Sequence, residues 1–243
     1  MKNILLISAN FLGQAFRKWW AWPVYFLLPV ASFCLFVTIT RLGGAPPAEQ
    51  QGLSFHLFFI FIQAGIISGL TIKDKEQGIS LRIRIAPVRD IEYALGNMLA
   101  SFAVLGTQIL ITLGIVSFVL PFVDPSLFPG LLCIYLVSGF SAVGLGVFLS
   151  VFAEDSTQGA FVYNFVIYPT SILGGCFFPL KFMSSSMRKI SWLFPQSWAV
   201  RAIDSLRSGD IETMAVRLVL TALFGVFFLM LFAYVRQRKE NPI

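Results

Sequence analysis

Charged residues are scarce in this chain, and their scarcity argues against an ordinary soluble domain. Asp, Glu, Lys and Arg together make up 12% of the 243 residues, whereas soluble domains contain about 25%. Hydrophobic residues make up 57% of the chain, and the mean hydropathy is +0.80. The composition therefore predicts a polytopic membrane protein.

The residues of most enzyme sites are also missing. His56 is the only histidine, so no catalytic triad or histidine pair can form. No Gly-x-x-x-x-Gly-Lys-[Ser/Thr] loop is present, which indicates that the chain does not hydrolyse ATP itself. Asp and Glu are almost absent from the apolar runs, which disfavours a proton- or sodium-coupled carrier, because such carriers keep ionisable groups inside the membrane. We therefore expect a chain that is not an enzyme and binds no cofactor of its own.

Signals for metal and nucleic-acid binding are weak. Cys34, Cys133 and Cys176 lie far apart, in or beside apolar runs, so we interpret them as buried apolar residues and predict no metal site. The net charge is +6, but the aromatic residues are mostly Phe inside apolar runs rather than interleaved with Lys and Arg. The positive charge is better explained by membrane topology and contact with anionic lipids, and we expect no nucleic-acid partner.

Six apolar runs are long enough to cross a bilayer as helices, for which about 20 residues are needed. They cover residues 22–40, 53–72, 94–120, 129–152, 159–178 and 215–235. The prediction is an all-α polytopic membrane protein with six transmembrane helices in a single domain, 1–243.

The segment 3–20 has a different pattern from the six runs. Its apolar residues recur at helical spacing, and its polar residues fall largely on the opposite side. This pattern predicts an amphipathic helix that lies in the membrane interface. The alternative is that the segment begins a longer first span.

The basic residues favour both termini on the cytoplasmic side. Lys and Arg cluster before the first run, in the loop 73–92 and after the last run. A six-span topology puts 11 of them inside and 7 outside, whereas a five-span topology, in which 159–178 does not cross, puts 14 inside and 4 outside. Charge alone therefore prefers five spans.

The fifth run contains residues that break a helix. Gly174 and Gly175 are followed closely by Pro179, and both residue types disfavour helix interiors. We predict that a shorter span ends near Leu173 and that residues 174–214 form an outer re-entrant and interfacial region, because irregular backbone at membrane depth must be buried in protein or line a wet cavity.

Polar residues inside the runs have two interpretations. His56, Gln63, Gln108 and Asn164 are candidates for a substrate path, or they form hydrogen bonds between helices or lie at the membrane interface. Small residues spaced four apart permit close helix packing, and they occur as the pairs Gly65 with Gly69 and Ala142 with Gly146.

The loop 73–92 combines mixed charge with turn residues. It contains Lys75, Glu76 and Gln77, then Gly78, and it ends shortly after Pro87. One interpretation is a solvated loop whose charges only set the topology. The other is a cytoplasmic segment that docks into a groove on a soluble partner.

Two stretches of the chain carry a resemblance to a known family. The first is Glu76-Gln77-Gly78, followed by Arg82, Ala86-Pro87 and Gly96-Asn97-Met98-Leu99; the second is the run from Gly174 to Leu180, followed by Leu193-Phe194-Pro195-Gln196-Ser197-Trp198. In both stretches, and in span order over nearly its whole length, the chain resembles ABC-2 type transporter permeases.

The resemblance implies a half-transporter in a bacterial or archaeal cytoplasmic membrane, with six spans and both termini cytoplasmic. Two permeases, identical or paralogous, would pair, and each would bind a separate ABC ATPase subunit that uses ATP and Mg²⁺. The implied ATPase-coupling residues are Lys75, Glu76, Gln77, Gly78, Arg82 and Pro87. The implied outer re-entrant residues are Gly174, Gly175, Pro179 and Pro195.

The resemblance also narrows the class of substrate that we expect. Members of the family export drugs, antibiotics, peptides or lipid-linked glycans, and the Phe-rich spans favour lipophilic or amphipathic cargo. The candidate substrate-path residues are His56, Phe59, Gln63, Phe161 and Asn164. A glycan exporter and a non-transporting membrane scaffold or sensor remain alternatives.

Overall fold

The computed structural model describes residues 6–9, 11–13, 23–43, 48–76, 90–119 and 123–240, and within them the fold is helical with no strand. The helices are α1 (Leu28–Leu42), α2 (Ala48–Glu76), α3 (Asp90–Gly114), α4 (Phe128–Leu149), α5 (Ser156–Leu173), α6 (Ser185–Ser191), α7 (Pro195–Arg207) and α8 (Ile211–Glu240). The π-helical turn Pro23–Leu27 leads into α1, and a second π-helical turn, Ile115–Val119, follows α3.

Helix α4 lies at the centre of the bundle and packs against α2, α3, α7 and α8. Its buried residues lie on all sides of the helix, which is the pattern of a helix surrounded by other helices. The Tyr135 side chain is fully buried and donates a hydrogen bond of 3.0 Å to the carbonyl of Leu53 on α2. Helix α4 therefore provides the core on which the other helices pack.

Helices that follow one another along the chain run in opposite directions in the pairs α1–α2 and α3–α4. Helices α1 and α2 are antiparallel, since Phe36 stacks on Phe55 at 4.2 Å while Gln63 Nε2 donates to the carbonyl of Val24 at 3.1 Å. Helices α3 and α4 are antiparallel too, because the start of α4 contacts the π-helical turn that follows α3. The rings of Phe118 in that turn and Phe128 in α4 lie 5.3 Å apart.

The bundle consequently has two distinct ends. The first end contains Glu76, which closes α2, and Ser156, which opens α5. The second end contains Gln51, near the start of α2, and Cys176, just after α5. Helices α6 and α7 lie at the second end, and α8 begins there and runs parallel to α4 towards the first end, since Gly225 faces Phe140 and Phe228 stacks on Phe148.

All six predicted apolar runs are largely helical. Three helices within the described part of the chain are long and apolar enough to cross a membrane, Gly96–Phe118, Pro125–Phe152 and Ile211–Val235, and Leu28–Ile39 is a shorter apolar helix. The structure thus confirms an all-helical protein with membrane-spanning character, and the count of six spans stays a prediction.

The fifth run ends as a helix where its glycines predict. Helix α5 stops at Leu173 rather than at 178, because Gly174 closes the helix and Gly175 turns the chain at φ +90°. Residues with a side chain rarely adopt this left-handed backbone conformation. The shorter span that the two glycines predicted is therefore confirmed as a helix boundary.

The region 174–214 contains two helices of different character. Helix α6 is mostly exposed, whereas α7 packs against α4 and α8, with Ala199, Ala202 and Ile203 fully buried. Of the predicted N-terminal helix 3–20, residues 6–9 and 11–13 are helical and Phe11 is buried in the core. The other residues of that segment lie outside the described parts of the chain.

Candidate functional site

Glu76 at the first end is bound within the protein. Its carboxylate accepts hydrogen bonds from the backbone N–H of Ser156 and, at 3.3 Å, from the Ser156 hydroxyl. A carboxylate at a helix N-terminus satisfies free N–H groups and interacts favourably with the helix dipole. Asp155 adds a second cap, because its Oδ1 accepts from Gln158 N at 2.7 Å. The residue predicted to contact the ATPase therefore also ties the end of α2 to the start of α5.

The contact between α2 and α5 continues inward from Glu76. A Cβ on Gly159 would lie 2.3 Å from Ile72 Cδ1, so a side chain at this position would have to displace the end of the Ile72 side chain. Further along, Tyr163 donates a hydrogen bond of 2.5 Å to the carbonyl of Phe61, and its ring covers Gly65. The two helices are thus packed together from the first end to the middle of the bundle.

The other predicted coupling residues are mostly outside the described parts of the chain. Lys75 belongs to α2 by its backbone, and its side chain is not described. Gln77, Gly78, Arg82 and Pro87 all lie in the stretch 77–89, between α2 and α3, which the structure does not describe. Their predicted role stays a prediction.

His56 is buried against neighbouring helices. Its ring lies 6.3 Å from Phe33 on α1 and 5.1 Å from Tyr135 on α4, edge-on to both. Neither ring nitrogen has a hydrogen-bond partner among the described residues. Gln63, two turns along α2, uses its side-chain amide to hold the carbonyl of Val24, so one predicted path residue forms a contact between helical segments.

The remaining path candidates lie on different faces of α2 and α5. Phe161 on α5 is 70% exposed and stacks on Phe165 at 6.2 Å, whereas Asn164 is half-buried. Phe59 on α2 is half-buried and packs edge-on against Phe55 at 5.3 Å. The structure places the five candidates on this helix pair but divides them between an inner and an outer face.

The second end contains a cavity of about 430 Å³. Its apolar wall comes from α1, α7 and the segment after α5, through Phe36, Val200, Phe177, Phe178, Leu180 and Phe182. Its polar groups are Gln50, Gln51 and Ser54 of α2, Asp204 of α7 and Lys181. The volume is typical of small-molecule sites, which measure about 300–1,000 Å³.

The predicted outer re-entrant residues are grouped around this cavity. Gly175 and Pro179 belong to its lining, and Gly174 lies so close to α7 that a Cβ there would be 2.7 Å from Gln196 Cβ. Pro195 begins α7 and is buried. All four residues therefore help to shape one region of the second end.

Two side-chain amides of α2 form hydrogen bonds with the segments that enclose the cavity. Gln50 Nε2 donates to the carboxylate of Asp204 on α7, and Gln51 Nε2 donates to the carbonyl of Cys176 at 3.2 Å. Burial raises the pKa of Asp204, and the hydrogen bond from Gln50 opposes that rise. Composition and spacing did not single out Gln50, Gln51 or Asp204 as site residues.

Two arginines beside the cavity, Arg201 and Arg217, form their described hydrogen bonds with groups other than Asp204. Arg217 Nη1 donates to the carbonyl of Arg201 and, at 2.6 Å, to Ser205 Oγ. The Arg201 guanidinium donates to Ser197 and Ser191 and lies 4.1 Å from the Trp192 ring centroid. Burial lowers the pKa of Arg201. Arg217 is a charged residue inside the apolar run 215–235, and charged residues in such runs often have a function.

Comparison with known proteins identifies the family. The family model described as "ABC-2 family transporter protein" matches residues 46–234, a stretch that includes Glu76, the packed pair of α2 and α5, and the lining of the second-end cavity except Phe36. No curated protein matches the chain at a significant level. The family match covers most of the chain and confirms the resemblance carried by the motifs around Glu76 and Gly174. The chain therefore belongs to the ABC-2 family of transporter proteins, and it is an integral membrane transport subunit of an ABC system.

Proposed function

We propose that this chain is the permease subunit of an ATP-driven exporter for lipophilic or amphipathic compounds such as drugs, antibiotics or peptides. Six helices, α1 to α5 and α8, cross the membrane, with the first end and both termini in the cytoplasm. A separate ABC ATPase, which uses ATP and Mg²⁺, docks at the first end. A second permease, identical or paralogous, completes the pathway.

The observation that carries this proposal is the bond between Glu76 and Ser156. It joins the start of the predicted coupling segment to α5. At its other end α5 is tied to α7, because Gln196 Nε2 donates to Thr170 Oγ1 at 3.0 Å. A movement of the coupling segment on ATP binding would therefore pull on α5, and α5 would transmit it to the second end.

The apolar character of the helix surfaces supports a lipophilic cargo. Phe161 and Phe165 on α5 are about 70% exposed, and cargo leaving the bilayer would meet them first. Burial of apolar surface contributes about 25 cal/mol per Å², and such contacts distinguish similar apolar molecules poorly. We therefore expect a range of related compounds rather than one.

Exposed apolar side chains on α1 and α8 support the proposed neighbours. Leu35 and Ile39 on α1 are exposed, and so are Val219, Leu223 and Met230 on α8. Such surfaces are stable when lipid tails or another membrane protein cover them. Lipid and the second permease share these faces in the proposed complex.

The test uses the chain reconstituted in vesicles with its ABC ATPase. We expect lipophilic compounds to stimulate ATP turnover and to be transported. Glu76→Ala should reduce both by about fivefold or more, the range of a coupling free energy above about 1 kcal/mol, while the ATPase still co-purifies. Glu154→Ala is the matched control, because Glu154 is an exposed carboxylate at the same end whose side chain has no hydrogen-bond partner among the described residues.

Three outcomes would contradict parts of this proposal. Full turnover and transport in Glu76→Ala would show that the loop after α2 is only a solvated linker. Accumulation of lipid-linked glycan in cells that lack the chain, without any change in resistance to lipophilic compounds, would replace the cargo class. An ATPase whose turnover does not depend on the chain would favour a scaffold or sensor.

A further inference from the structure

The second-end cavity combines a carboxylate with aromatic walls. Asp204 projects from α7 into a space bounded by Phe36 of α1 and by Phe177, Phe178 and Phe182 after α5. Among the residues that line it, Asp204 is the one carboxylate. The lining therefore offers one negative charge, at Asp204, and one positive charge, at Lys181, next to a large apolar surface.

The Asp204 carboxylate has unused capacity for hydrogen bonds. An ionised carboxylate offers about four acceptor positions, and the hydrogen bond described for it comes from Gln50. No ion pair with Asp204 is found within the described residues. Arg217, Arg201 and Arg207 act on this carboxylate through their positive charge and oppose the rise of its pKa. The guanidinium groups of Arg201 and Arg217 nevertheless donate their described hydrogen bonds to serines and a carbonyl, and that of Arg201 lies over the Trp192 ring.

Partial burial makes this arrangement costly, and the arginines offset the cost without forming a described ion pair with the carboxylate. Removal of a charged group from water is unfavourable without a charged or strongly hydrogen-bonding partner. Gln50 supplies a neutral amide donor, which compensates less than a cationic donor does. Phenyl rings also attract cations at their faces, so both parts of the cavity favour the same kind of ligand.

We propose that the second-end cavity binds a lipophilic amine, with its ammonium group on the Asp204 carboxylate and its apolar body between the phenylalanine rings. Lys181 lies at the opening, exposed, with its ammonium 5.2 Å from the centre of the Phe182 ring. Its charge opposes the approach of a cation. Binding is a property of this chain alone, and only a role of the cavity in export rests on the proposed function.

The test measures binding to the purified full chain in nanodiscs of zwitterionic lipid, without the ATPase. The probe is a dansyl fluorophore joined to pentylamine, and its N-acetylated form is the neutral control. We expect Asp204→Asn to weaken amine binding by about tenfold or more, as expected for the loss of a charge-assisted contact. Binding of the acetylated compound should change by less than about threefold, because it makes no such contact.

Two further variants test the charge without disturbing the fold. Asp210→Asn removes a carboxylate from the same end of the molecule, and Asn also accepts the helix-capping hydrogen bond from Thr213 N; it should leave the binding of both probes unchanged. Lys181→Gln should tighten amine binding by about two- to threefold by removing the repulsion at the opening. Since Lys181 is exposed, we expect Lys181→Gln to fold, so its amine affinity still tests the proposal if Asp204→Asn does not fold.

The proposal is overturned if the amine and its acetylated form bind equally, or if Lys181→Gln and Asp204→Asn both leave the amine affinity unchanged. Equal loss of both probes in Asp204→Asn would show a structural role for the carboxylate. Failure of either probe to saturate above the level of empty nanodiscs would show that lipid chains fill the space. Each result concerns the chain without its ATPase, so transport can fail or succeed independently.

Discussion

At the scale of single residues, two glycines at the second end share a backbone conformation but differ in their surroundings. Gly175 has φ +90° and Gly209 has φ +76°. A Cβ on Gly175 would lie 2.7 Å from Leu180 Cγ, whereas a Cβ on Gly209 would have no described atom within 4 Å. Gly175→Ala therefore has two costs, left-handed strain and displacement of Leu180, and Gly209→Ala has only the first.

We expect both alanine variants to be less stable than the parent chain. The strain costs about 1–2 kcal/mol in either variant, and displacement of a buried side chain adds about 1–3 kcal/mol in Gly175→Ala. Thermal unfolding in detergent, followed by tryptophan fluorescence, should give the lower midpoint for Gly175→Ala. Equal midpoints would show that Leu180 moves aside without cost and that the turn after α5 is not tightly packed.

At the scale of helices, α4 and α8 approach each other closely at a pair of glycines. A Cβ on Gly144 would lie 2.9 Å from the carbonyl oxygen of Gly225 and 3.4 Å from its Cα. Backbone atoms cannot turn away as a side chain can, so the two helices would have to separate. Gly144→Ala should therefore destabilise the chain by about 1–3 kcal/mol, measured as a lower unfolding midpoint in the same detergent.

Gly114→Ala is the matched control for this helix contact. Gly114 closes α3, and a Cβ there would have no described atom within 4 Å. Alanine has a higher helix propensity than glycine by about 1 kcal/mol, so this variant should be neutral or slightly more stable. If Gly144→Ala were as stable as Gly114→Ala, the contact between α4 and α8 would be looser than the structure describes.

The same glycines show how far a sequence predicts packing. The pair Ala142 and Gly146 predicted a close approach on α4, and both are buried, but the contact with the Gly225 backbone is made by Gly144 between them. Spacing within one helix identifies small residues, but it contains no information about which residue of another helix contacts them. Gly65, likewise, accommodates the Tyr163 ring, whereas Gly69 has open space among the described atoms.

Helix positions were predicted better than site contacts for a physical reason. An apolar run of about 20 residues and a Gly-Gly break are local signals, and they identified the helices and the end of α5. The contacts of Gln50 with Asp204 and of Glu76 with Ser156 join residues 154 and 80 positions apart. Local periodicity does not report such partners, so Asp204 and Ser156 emerged only from the folded chain.

At the scale of the whole molecule, the second end carries basic residues that the usual membrane rule would place on the cytoplasmic side. Lys181, Arg188, Lys189 and Arg207 are exposed at the second end, which is the outer end in the proposed orientation. Cytoplasmic loops usually carry the excess of Lys and Arg. Asp204, Asp210 and Glu212 lie at the same end and partly offset this charge, although acidic residues influence orientation little.

Cysteine labelling in intact cells tests this orientation. In a chain whose three cysteines are replaced, single cysteines at positions 185 and 154 report on the exposed surfaces of the second and first ends, and a third at position 240 reports on the C-terminal end of α8. We expect an impermeant thiol reagent to label position 185 in intact cells and to reach positions 154 and 240 only after permeabilisation, because α5 and α8 then begin on opposite sides. In the five-span topology 159–178 does not cross, so position 240 would be labelled while 154 and 185 stayed protected. That pattern would contradict the membrane placement of α5 and with it the route from Glu76 to the second-end cavity.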